Sequence, residues 1–304
     1  MNEEPKKEES KENITTKLTR FHDKHYKHLL ILPAIMLLFS FGYMFFFYSQ
    51  NGDFVHKDIS LIGGTSVTIY EKLDIEKSKT DLSEKLDGLS VREISDLLTQ
   101  EQKAVVIETE SDADKTRNVL EEYLGYKLDE KNSSFEFTGS SLSEGFFKQL
   151  LFSVFLAFVF MALVVFIMFR TFVPSSAIVV SAFADIFMTL TVFNLLGMEM
   201  STAGVVAFLM LIGYSVDTDI LLTNRVLKNH ENTLNARIFS AFKTGMTMTL
   251  TALVSIGVAL FIVQSFSDVL TKIFTIIFIG LIFDIFNTWV TNASIIKWYV
   301  LNKK

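Results

Sequence analysis

The chain has 304 residues, of which 50% are hydrophobic and 20% charged, with a formal net charge of -6 and no cysteine. The charges are spread unevenly, because six stretches of about 20 apolar residues hold few or none of them, and each stretch is long enough to cross a bilayer. This pattern excludes a soluble globular enzyme, a disordered protein and a nucleic-acid binder, which would need a basic face. The lack of cysteine excludes a disulfide scaffold, a thiol nucleophile and a cysteine-ligated metal.

The N-terminal residues 1–28 are polar and charge-dense, so we expect a disordered tail, whose part from 17 to 27 could lie as a basic helix on the membrane surface. Six membrane spans are predicted after it, joined by short turns and by one basic loop at 224–244. The predicted spans cover residues 29–48, 150–169, 174–196, 201–223, 245–263 and 272–296. Residues 148–304 therefore hold five of the six spans.

The distribution of Lys and Arg predicts the orientation of the chain in a cell membrane. The loops at 197–200 and 264–271 contain neither residue type. The N-terminal tail and the opposite ends of the spans carry the basic residues Arg170, Arg225, Lys228, Arg237, Lys243, Lys297, Lys303 and Lys304. Both termini are therefore predicted to be cytoplasmic, and residues 49–147 to lie outside the cytoplasm.

The outward segment 49–147 is predicted to form a small α+β domain between the first and second spans. Alternating apolar residues and helix-capping residues indicate the order strand, helix, strand, strand, helix, strand. The predicted elements cover 65–70, 81–86, 91–98, 104–108, 111–125 and 133–138. This order is that of a ferredoxin-like unit. Its excess of acids argues against binding to anionic lipid or nucleic acid.

Four acidic side chains lie within the apolar spans: Asp185, Asp217, Asp219 and Asp284. A carboxylate at the bilayer centre costs roughly 2.5–3.5 kcal/mol on insertion scales. These side chains must therefore face the bundle, water or each other. No Lys or Arg is predicted at a similar depth.

Two interpretations of these acids remain open. They could gain and lose protons and so couple a proton gradient to movement. They could equally be structural, each hydrogen-bonded to the neighbouring Ser, Thr or Asn side chains, candidates being Thr189, Thr191, Asn194, Ser215, Thr218, Thr223, Thr247, Thr249, Thr251, Asn287 and Thr288. The motifs of intramembrane aspartyl and serine proteases are absent. Gly63-Gly64-Thr65 lacks the lysine of a phosphate-binding loop. Since the protease motifs and cysteine are also absent, no enzymatic activity, cofactor or metal is expected.

The chain resembles the SecF family at several motifs. The segment IGYSVDTDILLTNRVLKN, from Ile212 to Asn229, is similar to the family signature and contains Gly213, Tyr214, Ser215 and Arg225. Gly63-Gly64-Thr65 follows the first span, as in this family. Asp185 matches an acid that recurs in the third span of the family. The resemblance covers nearly the whole chain after residue 28.

The resemblance implies a six-helix half of a fold of the resistance-nodulation-division type, paired with SecD in a twelve-helix unit. It further implies an accessory role in protein export with the Sec channel, contact with the unfolded exported polypeptide and use of the proton-motive force. The surrounding membrane lipid is the remaining expected partner. A stand-alone proton-coupled transporter of small solutes is the alternative, since the same fold type serves that function.

The sequence departs from the common bacterial motif Gly-Tyr-Ser-x-Asn-Asp-Thr in the fourth span. Asp217, Thr218 and Asp219 stand at its Asn, Asp and Thr. Asp217 and Asp219 point about 200° apart on a helix, so they cannot share a face. Thr247 stands near the position of an arginine in the bacterial proteins, and Asp284 is an acid that this sequence has in addition to the bacterial pattern. This pattern resembles the archaeal branch of the family.

Overall fold

The computed structural model describes residues 25–96, 99, 101–228, 233–265 and 267–303. The predicted disordered tail and surface helix lie almost entirely outside the described residues. In chain order the elements are α1 (Ile31–Asn51), α2 (Ile59–Ile62), β1 (Gly64–Ile69), α3 (Ile75–Ser83), β2 (Ser90–Ser95), β3 (Gln102–Thr109), α4 (Ala113–Leu124), β4 (Ser133–Thr138), α5 (Ser140–Phe169), α6 (Phe172–Leu195), α7 (Thr202–Lys228), α8 (Leu234–Val263), α9 (Asp268–Phe286), a π-helical segment (Asn287–Asn292) and α10 (Ala293–Asn302).

Six helices within the described residues are long and apolar enough to cross a membrane. They are α1, α5, α6, α7, α8 and the continuous run from α9 through the π-helical segment to α10. The helices α6 and α7 are mostly buried, whereas α1, α5 and α8 are mostly exposed. The chain is therefore a multi-pass membrane protein in which α6 and α7 form the centre of the bundle.

The segment between α1 and α5 forms a four-stranded antiparallel sheet with the strand order β2-β3-β1-β4. Its elements follow the strand and helix order that the sequence predicted. Apolar and polar residues alternate along β1, as expected for a strand with one buried face: Val67 and Ile69 are fully buried, while Ser66 and Thr68 are only half-buried. The buried side chains pack against α3 and α4 in a small core separate from that of the bundle.

Two helix starts in this unit were predicted from capping residues, one correctly and one wrongly. The prediction for α4 is confirmed, since Asp112 accepts a hydrogen bond from the Lys115 backbone N–H at 2.8 Å and Gly125 ends the helix in the left-handed conformation. The prediction of a helix starting at Asp81 is wrong. Asp74 is the N-cap of α3, and Asp81 lies in its last turn. Both aspartates suit an N-cap, so the residue type alone could not locate the start.

The membrane helices extend beyond the apolar stretches that predicted them. The prediction of a basic loop over 224–244 is wrong, because α7 continues to Lys228 and α8 begins at Leu234. Likewise α5 begins at Ser140, before the apolar run. Polar side chains outside the lipid are solvated by water, so a helix can continue through polar residues there, and hydropathy marks the lipid-embedded part and not the helix ends.

Gly63 and Gly64 join the sheet to the membrane bundle. Both have positive φ angles, of 92° and 149°. A Cβ atom on Gly63 would meet the backbone of Ser140 at the start of α5, and one on Gly64 would meet the backbone oxygen of Thr109. The adjacent Thr65 side chain donates to the backbone oxygen of Ser111 at 2.8 Å. The Gly-Gly-Thr motif is thus a close junction that only glycine can form.

An ion-pair network also joins the sheet to the bundle. Lys272 near the start of α9 lies 3.1 Å from Asp58 and 2.9 Å from Asp268, and it is almost fully buried. Arg92 of β2 pairs with Asp268 and lies 2.6 Å from Glu108 of β3. Burial raises the pKa of Glu108, and the charge of Arg92 offsets part of that rise. The network holds the sheet at the end of the bundle where α9 begins.

Backbone hydrogen bonds place both turns without basic residues against the same unit. The Ser95 N–H donates to the Ser265 carbonyl in the turn between α8 and α9, at 2.9 Å. The Asp58 N–H donates to the Met200 carbonyl, beside the turn between α6 and α7, at 3.0 Å. The sheet therefore lies at the end of the bundle opposite Arg170 and Arg225.

Candidate functional site

Three of the four intramembrane aspartates converge at the centre of the bundle. Asp185 comes from α6, Asp219 from α7 and Asp284 from α9, and their exposed fractions are 0%, 0% and 1%. Small and apolar neighbours let these helices approach closely, as where Gly280 of α9 packs against the Leu211 side chain of α7. The carboxylates are therefore removed from both lipid and bulk water.

Asp185 is hydrogen-bonded at both carboxylate oxygens. The Ser215 hydroxyl of α7 donates to one of them at 2.5 Å, and the Asn287 amide donates to the other at 2.7 Å. The Asn287 carbonyl oxygen in turn accepts from the Thr291 hydroxyl at 3.3 Å. Asp185 thus joins α6 to α7 and to the π-helical segment.

Asp284 is bound by two hydroxyl groups. The Thr218 hydroxyl of α7 lies 2.9 Å and 3.1 Å from its two oxygens, and the Thr288 hydroxyl lies 3.1 Å from one of them. The Thr218 hydroxyl also lies 2.9 Å from the Ser215 carbonyl. Because one hydroxyl has a single proton, Thr218 can serve only one of these acceptors at a time.

Asp219 is the least satisfied of the three. The Asn292 amide donates to one of its oxygens at 2.7 Å. Within the described residues, the second oxygen of Asp219 and the carbonyl oxygen of Asn292 are buried and form no hydrogen bond of ordinary length and angle, although the Thr288 and Ser181 hydroxyls lie near the Asp219 carboxylate. Buried acceptors without a donor are costly, at about 1–3 kcal/mol each.

The π-helical segment directs two amides into this site. Asn287 and Asn292 are its first and last residues, and the Ala293 N–H bonds to the Thr288 carbonyl five residues back. On an α-helix, residues five apart are about 140° apart, whereas the wider π turn brings them to the same side. Asn287 can therefore reach Asp185 while Asn292 reaches Asp219.

No cation offsets these acids within the part of the chain that the structure describes. Each hydrogen-bond partner of the Asp185, Asp219 and Asp284 carboxylates is a neutral hydroxyl or amide. Among the described ranges there is also no group of three or more His, Asp or Glu side chains suited to a metal ion. Three charges in one buried cluster would repel each other and lack solvation. The arrangement thus favours bound protons.

Asp217 does not join the cluster. Its side chain is exposed on the opposite face of α7 from that of Asp219, which is fully buried. The two acids therefore lie on separate faces of α7, as helical geometry predicted. The structure brings together Asp185, Asp219 and Asp284 and leaves Asp217 on the surface.

The other motif residues lie in three places. Ser215 is part of the cluster, whereas Gly213 and Tyr214 are exposed beside Asp217. Arg225 donates to the backbone oxygen of Ser240 at 2.6 Å and to its hydroxyl at 2.8 Å, so it joins α7 to α8. The Gly-Gly-Thr motif is remote from the cluster, at the junction with the sheet.

Asn292 is the site residue whose contact the sequence did not reveal. Its position in the series Asp284, Thr288, Asn292 is a signal, because side chains four residues apart lie on one face of a helix. No pattern in the sequence indicates the change to a π turn, which brings the Asn292 side chain to Asp219.

Comparisons with known proteins agree on one family. Residues 119–302 match the family described as protein export membrane protein SecD/SecF, C-terminal. The chain is 39% identical to the protein-export membrane protein SecF of Methanocaldococcus jannaschii over 284 residues, covering 91% of this chain and 96% of that protein. It is 36% identical to the SecF of Methanothermobacter thermautotrophicus over 287 residues, covering 91% and 93%.

A solved structure has a similar fold. The crystal structure of SecDF from Thermus thermophilus, a translocon-associated membrane protein, superposes with a TM-score of 0.72 at 19% identity, covering 91% of this chain. SecDF in its super-membrane-facing form gives a TM-score of 0.58 at 19% identity and 92% coverage. The present chain spans only 38% and 39% of those two SecDF chains.

Proposed function

The chain belongs to the SecF family of protein-export membrane proteins, and we propose that it is an accessory, non-enzymatic subunit of the Sec protein translocation machinery. The observation that carries this proposal is identity of 39% to an archaeal SecF along 91% of this chain and 96% of that protein. A match over nearly the full length of both chains includes the bundle, the sheet and the junction between them.

The protein would lie in the cytoplasmic membrane with both termini in the cytoplasm. Residues 49–147 would form a ferredoxin-like domain on the outer side. The sheet contacts the turns that lack Lys and Arg, while Arg170 and Arg225 lie at the other end of the bundle. Cytoplasmic ends of membrane helices are enriched in basic residues, which supports this orientation.

The partners would be SecD, the Sec channel and the unfolded polypeptide in transit. The described part of the chain has six candidate membrane helices and matches little more than a third of SecDF. A second chain would therefore supply the remainder of such an assembly. The outward domain is the part of the chain placed to contact a polypeptide that emerges from the channel.

We further propose that the buried cluster couples the proton-motive force to export. Asp185, Asp219 and Asp284 join three helices and have only neutral partners. Loss or gain of a proton would alter which of these hydrogen bonds can form and so change how the helices pack. Ionisable side chains within a bundle commonly serve as proton relays.

Asp219 and Asn292 are the pair best suited to hold such a proton. One amide hydrogen bond links them already, and each contributes one acceptor that lacks a donor. A proton on the second oxygen of Asp219 could bond the carbonyl oxygen of Asn292 and complete a cyclic acid–amide pair. A single proton would then satisfy both orphaned acceptors.

Export measurements on neutral variants test the coupling. Asp185→Asn, Asp219→Asn and Asp284→Asn cannot ionise but retain hydrogen-bonding capacity. We expect severalfold slower export of secreted proteins in cells that hold each variant at wild-type abundance. Export at the wild-type rate in all three would show that the carboxylates are structural and would remove proton coupling from the proposal.

Purification from native membranes tests the accessory role separately. We expect the wild-type chain to be recovered with a SecD-like subunit. Recovery as a lone chain that moves small solutes across liposome membranes would instead establish a stand-alone transporter.

A further inference from the structure

A cavity of about 330 Å³ lies at the end of the bundle opposite the sheet. It is surrounded by the last residues of α5, α7 and α10 and by the first turn of α8. Ligand pockets typically enclose about 300–1,000 Å³, so this one is large enough for the headgroup of a small amphipathic molecule. Because apolar membrane helices end here, the cavity lies at the boundary between lipid and water.

Three cationic side chains line this cavity. Lys228 is the last residue of α7, Arg237 belongs to the first turn of α8, and Lys303 directly follows α10. The ammonium groups of the two lysines lie 5.8 Å and 5.4 Å from the ring centres of Phe169 and Tyr299. Within the described ranges the cavity has no acidic lining residue, and neither lysine forms an ion pair. The cavity is therefore strongly positive.

Arg237 is held at the cavity wall by the neighbouring helix. Its Nη1 donates to the Val226 carbonyl of α7 at 2.6 Å, which fixes the guanidinium between the start of α8 and the end of α7. A guanidinium stays charged at any physiological pH. Arg237 is thus a permanent, positioned cation, whereas the two lysines are longer and more mobile.

Thr171 adds polar groups of the same kind to the lining. Its hydroxyl is buried and forms no hydrogen bond of ordinary length and angle within the part of the chain that the structure describes. The residue directly precedes α6, whose first backbone N–H groups have no acceptor within the helix. The positive end of a helix dipole therefore adjoins the three cations.

These groups together suit a phosphate. Lys and Arg bind phosphate through charge-assisted hydrogen bonds, and helix N-termini also favour anions. Lys228 and Arg237 also offset the partial negative charge at the C-terminal end of α7. That role requires no open volume, so it does not account for a cavity between three cations.

The surface beside the cavity is apolar. Next in sequence to its lining residues, or close to them, are the exposed side chains of Ile167, Phe172, Trp298 and Leu301. Aromatic side chains are enriched at the membrane–water interface. Acyl chains would cover these apolar side chains, whereas a soluble phosphate compound would leave them in contact with water. The surroundings therefore favour a lipid over a soluble ligand.

We propose that this cavity binds the phosphate headgroup of an anionic membrane lipid. Lys228, Arg237 and Lys303 bind the phosphate, and the acyl chains pack against the apolar side chains beside it. Basic cavities between membrane helices are a known form of site for anionic headgroups. The lipid connects the ends of α5, α7 and α10, and the site is separate from the buried carboxylates and from the coupling proposed above.

Lipid binding by a charge variant tests the site. The full chain is purified in detergent, stripped of lipid and titrated with dioleoyl phosphatidylglycerol, and the complexes are measured by native mass spectrometry. We expect preference for this lipid over dioleoyl phosphatidylcholine, and about tenfold weaker binding by Lys228→Gln/Lys303→Gln. Lys27→Gln/Lys243→Gln is the control, because both of these lysines are exposed and neither lines the cavity.

A second variant blocks the cavity without changing any charge. Val300 lines the cavity, whereas the next residue, Leu301, is 50% exposed outside it. We expect Val300→Trp to remove the preference for phosphatidylglycerol and Leu301→Trp to retain it. The thermal unfolding midpoint of every variant is measured without lipid, and Lys228→Gln/Lys303→Gln should match the wild type because neither lysine has an ion pair to lose.

Each contrary result has a distinct meaning. Unchanged binding by Lys228→Gln/Lys303→Gln would show that the lysines serve only the helix ends, and would overturn the proposal. Equal weakening by the control pair would indicate general attraction to anionic lipid and would overturn it as well. Displacement of the lipid by inorganic phosphate at equal concentration would identify a soluble-phosphate site instead. The role in export is tested separately and does not depend on these results.

Discussion

The three buried carboxylates differ in how completely they are hydrogen-bonded. Asp185 has a donor at each oxygen, and Asp284 lies within hydrogen-bond distance of two hydroxyls, of which that of Thr218 also reaches the Ser215 carbonyl. Asp219 accepts one hydrogen bond of ordinary geometry, from the Asn292 amide, and its second oxygen and the Asn292 carbonyl oxygen form none. Since buried polar atoms are almost always paired, the site where pairing is incomplete is the one where a proton would change the energy most.

A double-mutant cycle measures the Asp219–Asn292 pair. Asn292→Leu removes the hydrogen bond of best geometry to the buried Asp219 carboxyl, and we expect it to lower the free energy of unfolding by about 1–3 kcal/mol. The double variant Asp219→Leu/Asn292→Leu removes both polar groups, so it should lose much less than the sum of the single variants. The measurement is denaturant unfolding in detergent.

Asp219→Asn provides the control for that cycle. Two amides can form the same cyclic pair as a protonated acid and an amide, so this variant should unfold within about 0.5 kcal/mol of the wild type. Strictly additive losses in the cycle would contradict a direct pair. A large loss from Asp219→Asn would show that Asp219 is not protonated in the folded chain.

At the scale of elements, close helix contact depends on a few glycines. Gly280 of α9 lies against the buried side chain of Leu211 in α7, which leaves no room for a Cβ. The contact lies one turn from Asp284 on the same helix. Close packing of α7 and α9 therefore positions the Thr218 hydroxyl against Asp284.

Gly280→Ala is expected to lower the thermal unfolding midpoint by several degrees, because the added methyl group overlaps a side chain that has no free space. Overpacking of this kind typically costs about 1–3 kcal/mol. Gly42→Ala is the matched control, since Gly42 is also helical and has no atom within 4 Å of a Cβ. It should be neutral or slightly stabilising. Equal midpoints for both variants would contradict the contact.

Features with a local signal in the sequence were predicted correctly, whereas features that depend on packing between helices were not. The strand at Ser133–Thr138 and the helix capped by Asp112 follow from alternation and capping residues; the strand was predicted with its exact bounds, and the helix, predicted over 111–125, covers Ala113–Leu124 between its caps. The separation of Asp217 from Asp219 followed from helical geometry. The π-helical segment and the contact of Asn292 with Asp219 depend on which helices are neighbours, and hydropathy carries no such information.

At the scale of the whole molecule, helix α9 contacts both the four-stranded sheet unit and the buried cluster. Lys272 near the start of α9 pairs with Asp58 and Asp268, and Asp284 lies twelve residues further along, about 18 Å away. The hydrogen bond between Ser95 and Ser265 adds a backbone connection beside it. A displacement of α9 at the cluster would therefore reach the sheet without an intervening flexible segment.

Removal of the Lys272 charge tests whether this junction holds the two parts together. Lys272→Met leaves Asp58 buried without its cation, and loss of one member of a buried pair typically costs about 3–5 kcal/mol. We expect a lower free energy of unfolding in detergent and faster proteolysis within the sheet. Lys85→Met is the control, because the Lys85–Glu122 pair is 46% and 72% exposed, and such surface pairs contribute about 0–1 kcal/mol. If the two variants lost equal stability, or if proteolysis of the sheet were unchanged in Lys272→Met, the ion-pair network would not be what fixes the sheet unit on the bundle.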